Sequence, residues 1–284
     1  MLRRLSLYVS FVRFGHSVFA LPFALVGALL AARQTPLTLA RVGWIIAAMV
    51  TARTAAMGFN RLVDARFDAL NPRTENRELP RGALSTRDAV ALVVVASLGF
   101  VLVTTQLGRL CLWLSPVALG IVFWYSLAKR FTTYTQMFLG LALAVAPVGG
   151  WLAAGGGAGV EPWLLALATG TWVAGFDIFY ACQDMEFDRI HGLNSIPARF
   201  GVRRSLSIAR WLHLATVTAL ASVALVTPLG GWYLAGVAGV ALLLTYEHSL
   251  VRVDDLSRVK QAFDLNGYVG FFYLAATAAA IYVG

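Results

Sequence analysis

The sequence predicts an all-α membrane protein with about nine transmembrane helices, and three observations lead to this fold class. First, 59% of the 284 residues are hydrophobic and only 13% are charged, which is about half of the roughly 25% charged residues usual in soluble domains. Second, apolar stretches long enough to cross a membrane as helices recur along the whole chain. Third, the positive residues are concentrated in alternate connecting segments.

Nine apolar stretches of about 20 residues are candidate spans. In chain order they are 17–33, 42–60, 88–107, 110–127, 134–154, 162–183, 205–226, 229–250 and 264–282. The polar segments between them are short, so we expect residues 1–284 to form a single transmembrane domain. Arginines precede the first stretch, as they would in a signal peptide. The eight further spans and the absence of a small-x-small cleavage site favour an uncleaved first helix instead.

The distribution of positive charge predicts the orientation of these helices. With the N-terminus in the cytoplasm, 19 of the 23 Lys and Arg residues fall on cytoplasmic segments, and only Arg33, Arg41 and Arg109 fall on outside segments. This bias is the positive-inside pattern of a bacterial inner-membrane protein. We therefore expect a cytoplasmic N-terminus and a periplasmic C-terminus. The net charge of +9 then reflects topology, and we expect no nucleic-acid partner.

Carboxylates are scarce, and six of the 14 lie in two clusters. The first cluster runs off the second span, where the spacing of Asn60, Asp64 and Asp68 places all three on one helical face. Asn71-Pro72 is expected to end that helix. Like charges four residues apart repel each other, and carboxylates at the C-terminal end of a helix also oppose its dipole. A bound cation is the natural compensation.

The second cluster runs off the sixth span and repeats the first. The same helical spacing places on one stripe Asp177, Tyr180, Asp184 and Asp188. Gly192 is expected to end the helix. Each Asp of the repeated pair follows its counterpart in the first cluster by 120 residues. The two halves of the chain therefore look like a degenerate internal repeat, with both clusters at the cytoplasmic end of a span.

The oxygen-only ligand set of the two clusters points to Mg²⁺ or a similar hard ion. Mg²⁺ usually keeps several waters and takes one or two carboxylates together with phosphate oxygens of a substrate. Two such stripes therefore predict that a diphosphate binds with the metal. Positive residues that could attract this anion occur on the same predicted side of the membrane: Arg66, Arg73, Arg77, Arg81, Lys129 and Arg130.

Several segments of the sequence resemble the UbiA-type intramembrane prenyltransferases, and the similarity extends over nearly the full chain. They are residues 60–68, 76–80, 125–130 with Gln136 after them, and 177–188. Residues 13–25 are also similar to the opening of the 4-hydroxybenzoate polyprenyltransferase-like branch of that family. The resemblance implies a helical bundle around a central cavity, with both aspartate motifs at its cytoplasmic mouth.

The resemblance also implies roles for individual residues. The expected metal ligands are Asp64, Asp68, Asp184 and Asp188. The expected contacts to the diphosphate come from Asn60, Lys129 and Arg130, and we expect Asp64, Asp184 and Arg130 to be catalytic. The cavity or its cap would be lined by Tyr125, Gln136, Asp177 and Tyr180, and Arg77 is a further candidate for binding substrate.

The activity implied is Mg²⁺-dependent transfer of a polyprenyl group from polyprenyl diphosphate to an aromatic acid within the lipid membrane. We expect 4-hydroxybenzoate as the acceptor, in respiratory quinone biosynthesis. The motifs leave open a hydroxynaphthoate of menaquinone biosynthesis, and also a haem or a glycerol phosphate. An ion-coupled secondary transporter is an alternative from another class, because intramembrane acids and internal repeats mark such carriers too. Its acids would lie near mid-bilayer, whereas these lie at helix ends.

Arg53 is a cation in the middle of a predicted span. It precedes Asn60 by seven residues, so it lies on the same helical face, about two turns deeper. A charge at that depth is costly and usually marks a function or a fixed partner. One interpretation is an ion pair with an aspartate or a contact with a helix carbonyl. The other is that the guanidinium receives the carboxylate of the aromatic acid.

Overall fold

The computed structural model describes residues 2–12 and 19–283. In these ranges the chain forms α1 (Leu2–Phe11), α2 (Ala20–Ala31), α3 (Leu39–Leu70), α4 (Thr86–Thr105), α5 (Arg109–Leu127), α6 (Thr135–Ala153), α7 (Glu161–Ala181), α8 (Met185–Ile190), α9 (Ile196–Val226), α10 (Gly231–Leu250) and α11 (Val259–Tyr282). Two 3-10 turns, Ala128–Arg130 and Cys182–Asp184, precede α6 and α8. The described residues contain no β-strand, which confirms the all-α prediction.

Each of the nine predicted spans overlaps one helix, namely α2 to α7 and α9 to α11. Among the described residues, seven helices are long and apolar enough to cross a membrane, and the chain is an integral membrane protein. The helix α2 has only 12 residues, and α10 is not among the seven. The count of nine therefore stays a prediction. Arg13 and the start of the 13–25 motif lie outside the described residues.

The described residues divide into two compact units, and the first comprises residues 2–12 and 39–127. Here α3 packs along α4, and both contact α5. The helices α3 and α4 are in close contact at Gly58, where an added Cβ would lie 2.7 Å from Cγ2 of Val93. A larger residue at this position would push the two helices apart.

The short helix α1 packs against the rest of the first unit. Phe11 and the following Val12 form a buried apolar cluster with Met57, Leu84 and Ala89. The Oγ of Ser10 also donates a hydrogen bond of 2.5 Å to Oε1 of Glu78, in the segment that connects α3 to α4. This segment is therefore held from α1 as well as from the helices that it joins.

The second unit comprises residues 19–38 and 128–284. In it α2 packs on α6, α6 on α7, α7 on α9, and α10 on α11. The helices α2 and α6 approach so closely that a Cβ at Gly27 would clash with the carbonyl of Pro147, and one at Gly150 with the carbonyl of Ala24. Close backbone approach through small residues is how membrane helices gain packing contacts.

A buried polar network joins four helices of the second unit. Nε1 of Trp172 donates to Oδ1 of Asn266 at 2.7 Å, and Nδ2 of Asn266 donates to Oε1 of Glu247 at 2.7 Å. Nδ1 of His213 lies 3.9 Å from Oε2 of Glu247. All four residues are at most 3% exposed. Because unpaired polar groups are costly in an apolar interior, the two hydrogen bonds favour one register of α7, α10 and α11, and His213 of α9 lies beside them.

Candidate functional site

The first acidic motif lies on the last turns of α3. This helix is unbroken to Leu70 and ends directly before Asn71-Pro72, as predicted. Asp64 and Asp68 are only 5% and 6% exposed. Nδ2 of Asn60 donates a hydrogen bond of 3.3 Å to Oδ2 of Asp64. This i, i+4 contact confirms that the predicted residues share one helical face.

The chain that follows α3 folds back onto the motif. Oγ1 of Thr74 donates to the backbone carbonyl of Asp68 at 3.0 Å, and the N–H of Arg77 donates to the carbonyl of Thr74 at 2.9 Å. This turn places Nη1 of Arg77 at 2.7 and 2.8 Å from the two carboxylate oxygens of Asp68. The ion pair supplies part of the positive charge that the clustered carboxylates require.

Arg53 lies deeper on α3, seven residues before Asn60. Its Nε is buried and has no hydrogen-bond partner among residues 2–12 and 19–283. Tyr125, near the end of α5, lies in the neighbourhood of this guanidinium. The first unit thus brings together two of the predicted substrate-binding residues. The Nε–H of Arg53 therefore makes no hydrogen bond within the described residues, at the position where the sequence analysis placed the carboxylate of the aromatic acid.

The second acidic motif is built differently. α7 ends at Ala181, and a 3-10 turn over Cys182–Asp184 leads into α8. Asp184 precedes α8 with a φ of −99° and a ψ of 3°, outside the regular helix. The prediction of one regular stripe was therefore wrong at Asp184, because a 3-10 turn takes about 3.0 residues instead of the 3.6 of an α-helix.

Gly192 ends α8, as the sequence predicts. Its φ of 65° is in the left-handed region that glycine adopts without strain. The N–H of Leu193 then donates to the carbonyl of Asp188 at 2.8 Å, which is the long bond of a Schellman motif. Oδ2 of Asp188 accepts a hydrogen bond of 2.8 Å from Oγ of Ser195. Both the backbone and the carboxylate of Asp188 are thus held by the turn that follows α8.

The other predicted residues of the second unit surround this turn. The backbone carbonyl of Lys129 accepts the N–H of Asn194 at 2.8 Å. Oε1 of Gln136, a residue only 2% exposed, accepts the N–H of Ile196 at 3.2 Å. The segment 194–196 therefore links the basic 3-10 turn and the start of α6 to the turn that holds the second acidic motif.

Asp177 and Tyr180 occupy the last part of α7, where both are half-buried. The ring of Tyr180 packs against Phe263 of α11, with the centroids 4.8 Å apart. In the basic 3-10 turn, Lys129 is half-buried and Arg130 is exposed. All four residues belong to the second unit.

The donor set of each motif fits a hard divalent cation. Each motif offers two carboxylates, and Mg²⁺ usually takes one or two together with phosphate oxygens and water. Within the part of the chain that the structure describes, no three His, Cys, Asp or Glu side chains converge on a single metal position.

Two contributors to this arrangement were missed from the sequence, Asn194 and Ser195. Ser195 is the N-cap of α9, and its Oγ accepts the N–H of Ala198 at 3.2 Å. The signal was present, since a serine before a helix with Pro197 in its first turn is a common helix start. The sequence pattern could not indicate that the same hydroxyl also donates a hydrogen bond to Asp188 of the second acidic motif.

The chain is similar to known prenyltransferases over most of its length. The UbiA prenyltransferase family matches residues 20–276. The 4-hydroxybenzoate octaprenyltransferase of Edwardsiella ictaluri (strain 93-146) is 34% identical over 230 residues, which are 81% of this chain and 79% of that protein. These likenesses favour the prenyltransferase interpretation over the transporter alternative.

Solved structures show the same fold. The apo structure of a UbiA homolog from Aeropyrum pernix K1 has a TM-score of 0.85 and 37% identity, and covers 93% of this chain and 98% of that chain. A UbiA homolog from Archaeoglobus fulgidus, solved with GPP and Mg²⁺ bound, has a TM-score of 0.73 at 19% identity and covers 97% of this chain and 99% of that one. The second likeness concerns the fold alone.

Proposed function

The chain belongs to the UbiA prenyltransferase family, and from that premise we propose that it transfers a polyprenyl group from polyprenyl diphosphate to 4-hydroxybenzoate with Mg²⁺. This activity would serve respiratory quinone biosynthesis, and residues 1–284 would act as one transmembrane domain. Similar proteins are named 4-hydroxybenzoate octaprenyltransferase, which supports 4-hydroxybenzoate as the acceptor. The observation that carries the chemistry is the pair of acidic motifs, each with two carboxylates. Hydrogen bonds orient the carboxylates of Asp64, Asp68 and Asp188.

The proposed metal ligands are Asp64 and Asp68 of the first unit and Asp184 and Asp188 of the second. When bound, Mg²⁺ would neutralise charge that develops on the diphosphate as the allylic C–O bond breaks. Asn60 hydrogen-bonds Asp64 and so keeps that carboxylate oriented. The homolog from Archaeoglobus fulgidus was solved with both GPP and Mg²⁺, which supports this combination of ligands.

Lys129 and Arg130 would bind the diphosphate and stabilise it as the leaving group. The allylic carbon then forms a bond to the ring carbon beside the acceptor hydroxyl, and that ring carbon loses its proton. The products are the prenylated acid, diphosphate and a proton. In the first unit the rings of Phe59 and Phe123, with centroids 4.6 Å apart, would help to exclude water from the allylic cation.

Arg53 is the proposed binding group for the acceptor carboxylate. Its buried Nε has no partner among the described residues, and a guanidinium donates two parallel hydrogen bonds to a carboxylate. Tyr125, its polar neighbour, would border the acceptor. Four further residues stay proposed parts of the substrate site: Arg77, Gln136, Asp177 and Tyr180.

The proposal is tested by incubating the purified protein with labelled prenyl diphosphates and a panel of acceptors. We expect prenylation of 4-hydroxybenzoate in the presence of Mg²⁺, and reversible loss of activity with EDTA. Transfer to a hydroxynaphthoate, to glycerol phosphate or to haem, with none to 4-hydroxybenzoate, would overturn the proposed acceptor. Activity that persists in EDTA would overturn the proposed metal.

We further propose that the chain resides in the inner membrane with its active site on the cytoplasmic side. The 19 positive residues on alternate segments support this orientation. Single cysteines introduced at exposed positions 75 and 76 should react with impermeant maleimide in inside-out vesicles only. Labelling of these cysteines in intact spheroplasts would contradict the proposed orientation.

A further inference from the structure

The turn between α8 and α9 connects parts of the second unit that the proposed function leaves separate. Its central residue is Ser195, which is 3% exposed. The hydroxyl donates its hydrogen to Oδ2 of Asp188 at 2.8 Å and accepts the N–H of Ala198 at 3.2 Å. One buried hydroxyl therefore orients the carboxylate of Asp188 and begins α9.

Both neighbours of Ser195 in the chain are held in place. On one side, Asn194 donates its N–H and its Nδ2–H to the carbonyl of Lys129, at 2.8 and 3.3 Å. On the other side, Ile196 donates its N–H to Oε1 of Gln136 at 3.2 Å and is itself fully buried in the core. Ser195 is thus fixed relative to Lys129 and to the first turn of α6.

We propose that Ser195 is a positioning residue for Asp188, and that Asn194 and Gln136 hold it in register with Lys129. The second unit would then present a metal-binding carboxylate and a diphosphate-binding lysine in a fixed relation before any ligand arrives. Hydrogen bonds to ligating side chains orient metal ligands, and their loss typically costs about 10- to 100-fold in metal affinity or activity. The inference rests on the proposed role of Asp188 in binding metal.

Ser85 provides a matched control in the first unit. It is the N-cap of α4, and its Oγ likewise accepts the N–H of Asp88 at 3.1 Å and lies 2.7 Å from Oδ2 of Asp88. Ser85→Ala and Ser195→Ala therefore remove the same two kinds of hydrogen bond, but only Ser195→Ala affects an acidic motif. The loss of a helix cap alone should leave metal binding unchanged in either variant.

The test measures Mn²⁺ binding by electron paramagnetic resonance, in the presence of a non-hydrolysable prenyl diphosphate analogue. We expect Ser195→Ala to raise the dissociation constant of Mn²⁺ about tenfold. Ser85→Ala should leave it unchanged, and Ser195→Thr, which keeps the hydroxyl, should restore it. In turnover, Ser195→Ala should raise the Mg²⁺ concentration for half-maximal rate more than it lowers kcat at saturating Mg²⁺. Gln136→Met should act in the same direction and more weakly.

Ser195→Gly keeps the test decisive if the alanine variant fails to fold, because glycine is well tolerated at an N-cap. Equal Mn²⁺ affinity in Ser195→Gly and in Ser85→Gly would overturn the positioning role. Asp188→Asn in the same assay separates this failure from that of the proposed function. If Asp188→Asn binds Mn²⁺ normally, Asp188 is not a metal ligand; if it loses Mn²⁺ while Ser195→Gly does not, only the positioning inference is lost.

Discussion

The two acidic motifs share their sequence spacing but differ in how the structure holds them. In the first unit, Asp64 and Asp68 lie on one unbroken helix, are nearly fully buried, and Asp68 pairs with a cation, Arg77. In the second unit a 3-10 turn precedes the half-buried Asp188, which accepts a hydrogen bond from the neutral hydroxyl of Ser195. The two proposed metal-binding motifs thus share their carboxylate spacing and differ in the groups that orient the carboxylates.

The difference has an energetic consequence. A buried carboxylate that loses a charged partner is left with an uncompensated charge, whereas one that loses a hydroxyl loses a single hydrogen bond. We therefore expect the first motif to depend on its supporting residue for stability, and the second to depend on its supporting residue chiefly for metal affinity. Substitutions in the two motifs should separate these two kinds of dependence.

The largest expected effect is the loss of activity when a metal ligand is removed from either unit. Asp64→Asn and Asp184→Asn each remove a carboxylate charge with little change of shape. Each should lower kcat by roughly 10²- to 10³-fold or more, because charge on the leaving diphosphate is no longer neutralised. Prenyl transfer in detergent is the measurement, and Asp254→Asn, at an exposed position between α10 and α11, is the control.

Wild-type activity in either variant would show that one motif is dispensable, and would contradict the claim that both motifs bind the catalytic metal. Thermal unfolding of the same preparations should show that both variants stay folded. The assignment of a shared chemical role would also be lost if activity fell only in step with the folded fraction.

The next effect concerns the buried ion pair of the first motif. Arg77→Gln should destabilise the protein by roughly 2–3 kcal/mol, somewhat less than the 3–5 kcal/mol typical of a fully buried pair, because the Arg77 side chain is 20% exposed. The double variant Asp68→Asn, Arg77→Gln should recover much of this loss. The measurement is the thermal unfolding midpoint of both variants.

Lys260→Gln is the control for this prediction, because Lys260 pairs with Asp264 on an exposed helix surface. Its effect should stay within about 0.5 kcal/mol. If Arg77→Gln were no more destabilising than this control, the ion pair would not be what stabilises the first motif.

A smaller effect is expected for substitutions that test whether the two units bind different substrates. Arg53→Gln should raise the KM for 4-hydroxybenzoate about tenfold or more, since a hydrogen bond to a charged group contributes roughly 1.5–3 kcal/mol. The KM for the prenyl diphosphate should stay nearly unchanged. Lys129→Gln, in the second unit, should show the opposite selectivity. Steady-state kinetics with each substrate varied in turn distinguishes the two, and equal effects on both constants would return Arg53 to a structural role.

Much of this molecule could be predicted from local patterns. Hydropathy located the seven long apolar helices among the described residues, and Asn71-Pro72 and Gly192 marked helix ends. The i, i+4 spacing of the first motif corresponds to the contact between Asn60 and Asp64. These features depend on neighbours within one or two turns, which a single sequence contains.

Other features depend on contacts that no local pattern specifies. The 3-10 turn at Cys182–Asp184 occurs in a segment whose spacing fits an unbroken helix equally well. The bond from Ile196 to Gln136 spans 60 residues, and the one from Trp172 to Asn266 spans 94. No local pattern specifies the hydrogen-bond partner of Gln136 or of Asn266, so only tertiary packing could identify it.

The most direct test of the account is a structure of the protein with Mn²⁺, in place of Mg²⁺, and a non-hydrolysable prenyl diphosphate analogue. Anomalous scattering locates Mn²⁺ without reference to the protein coordinates. We predict anomalous peaks at coordination distance from carboxylates of both motifs, those of Asp64 and Asp68 and those of Asp184 and Asp188, together with diphosphate oxygens. Peaks at only one motif, or diphosphate bound by basic residues without a metal at either, would contradict the account.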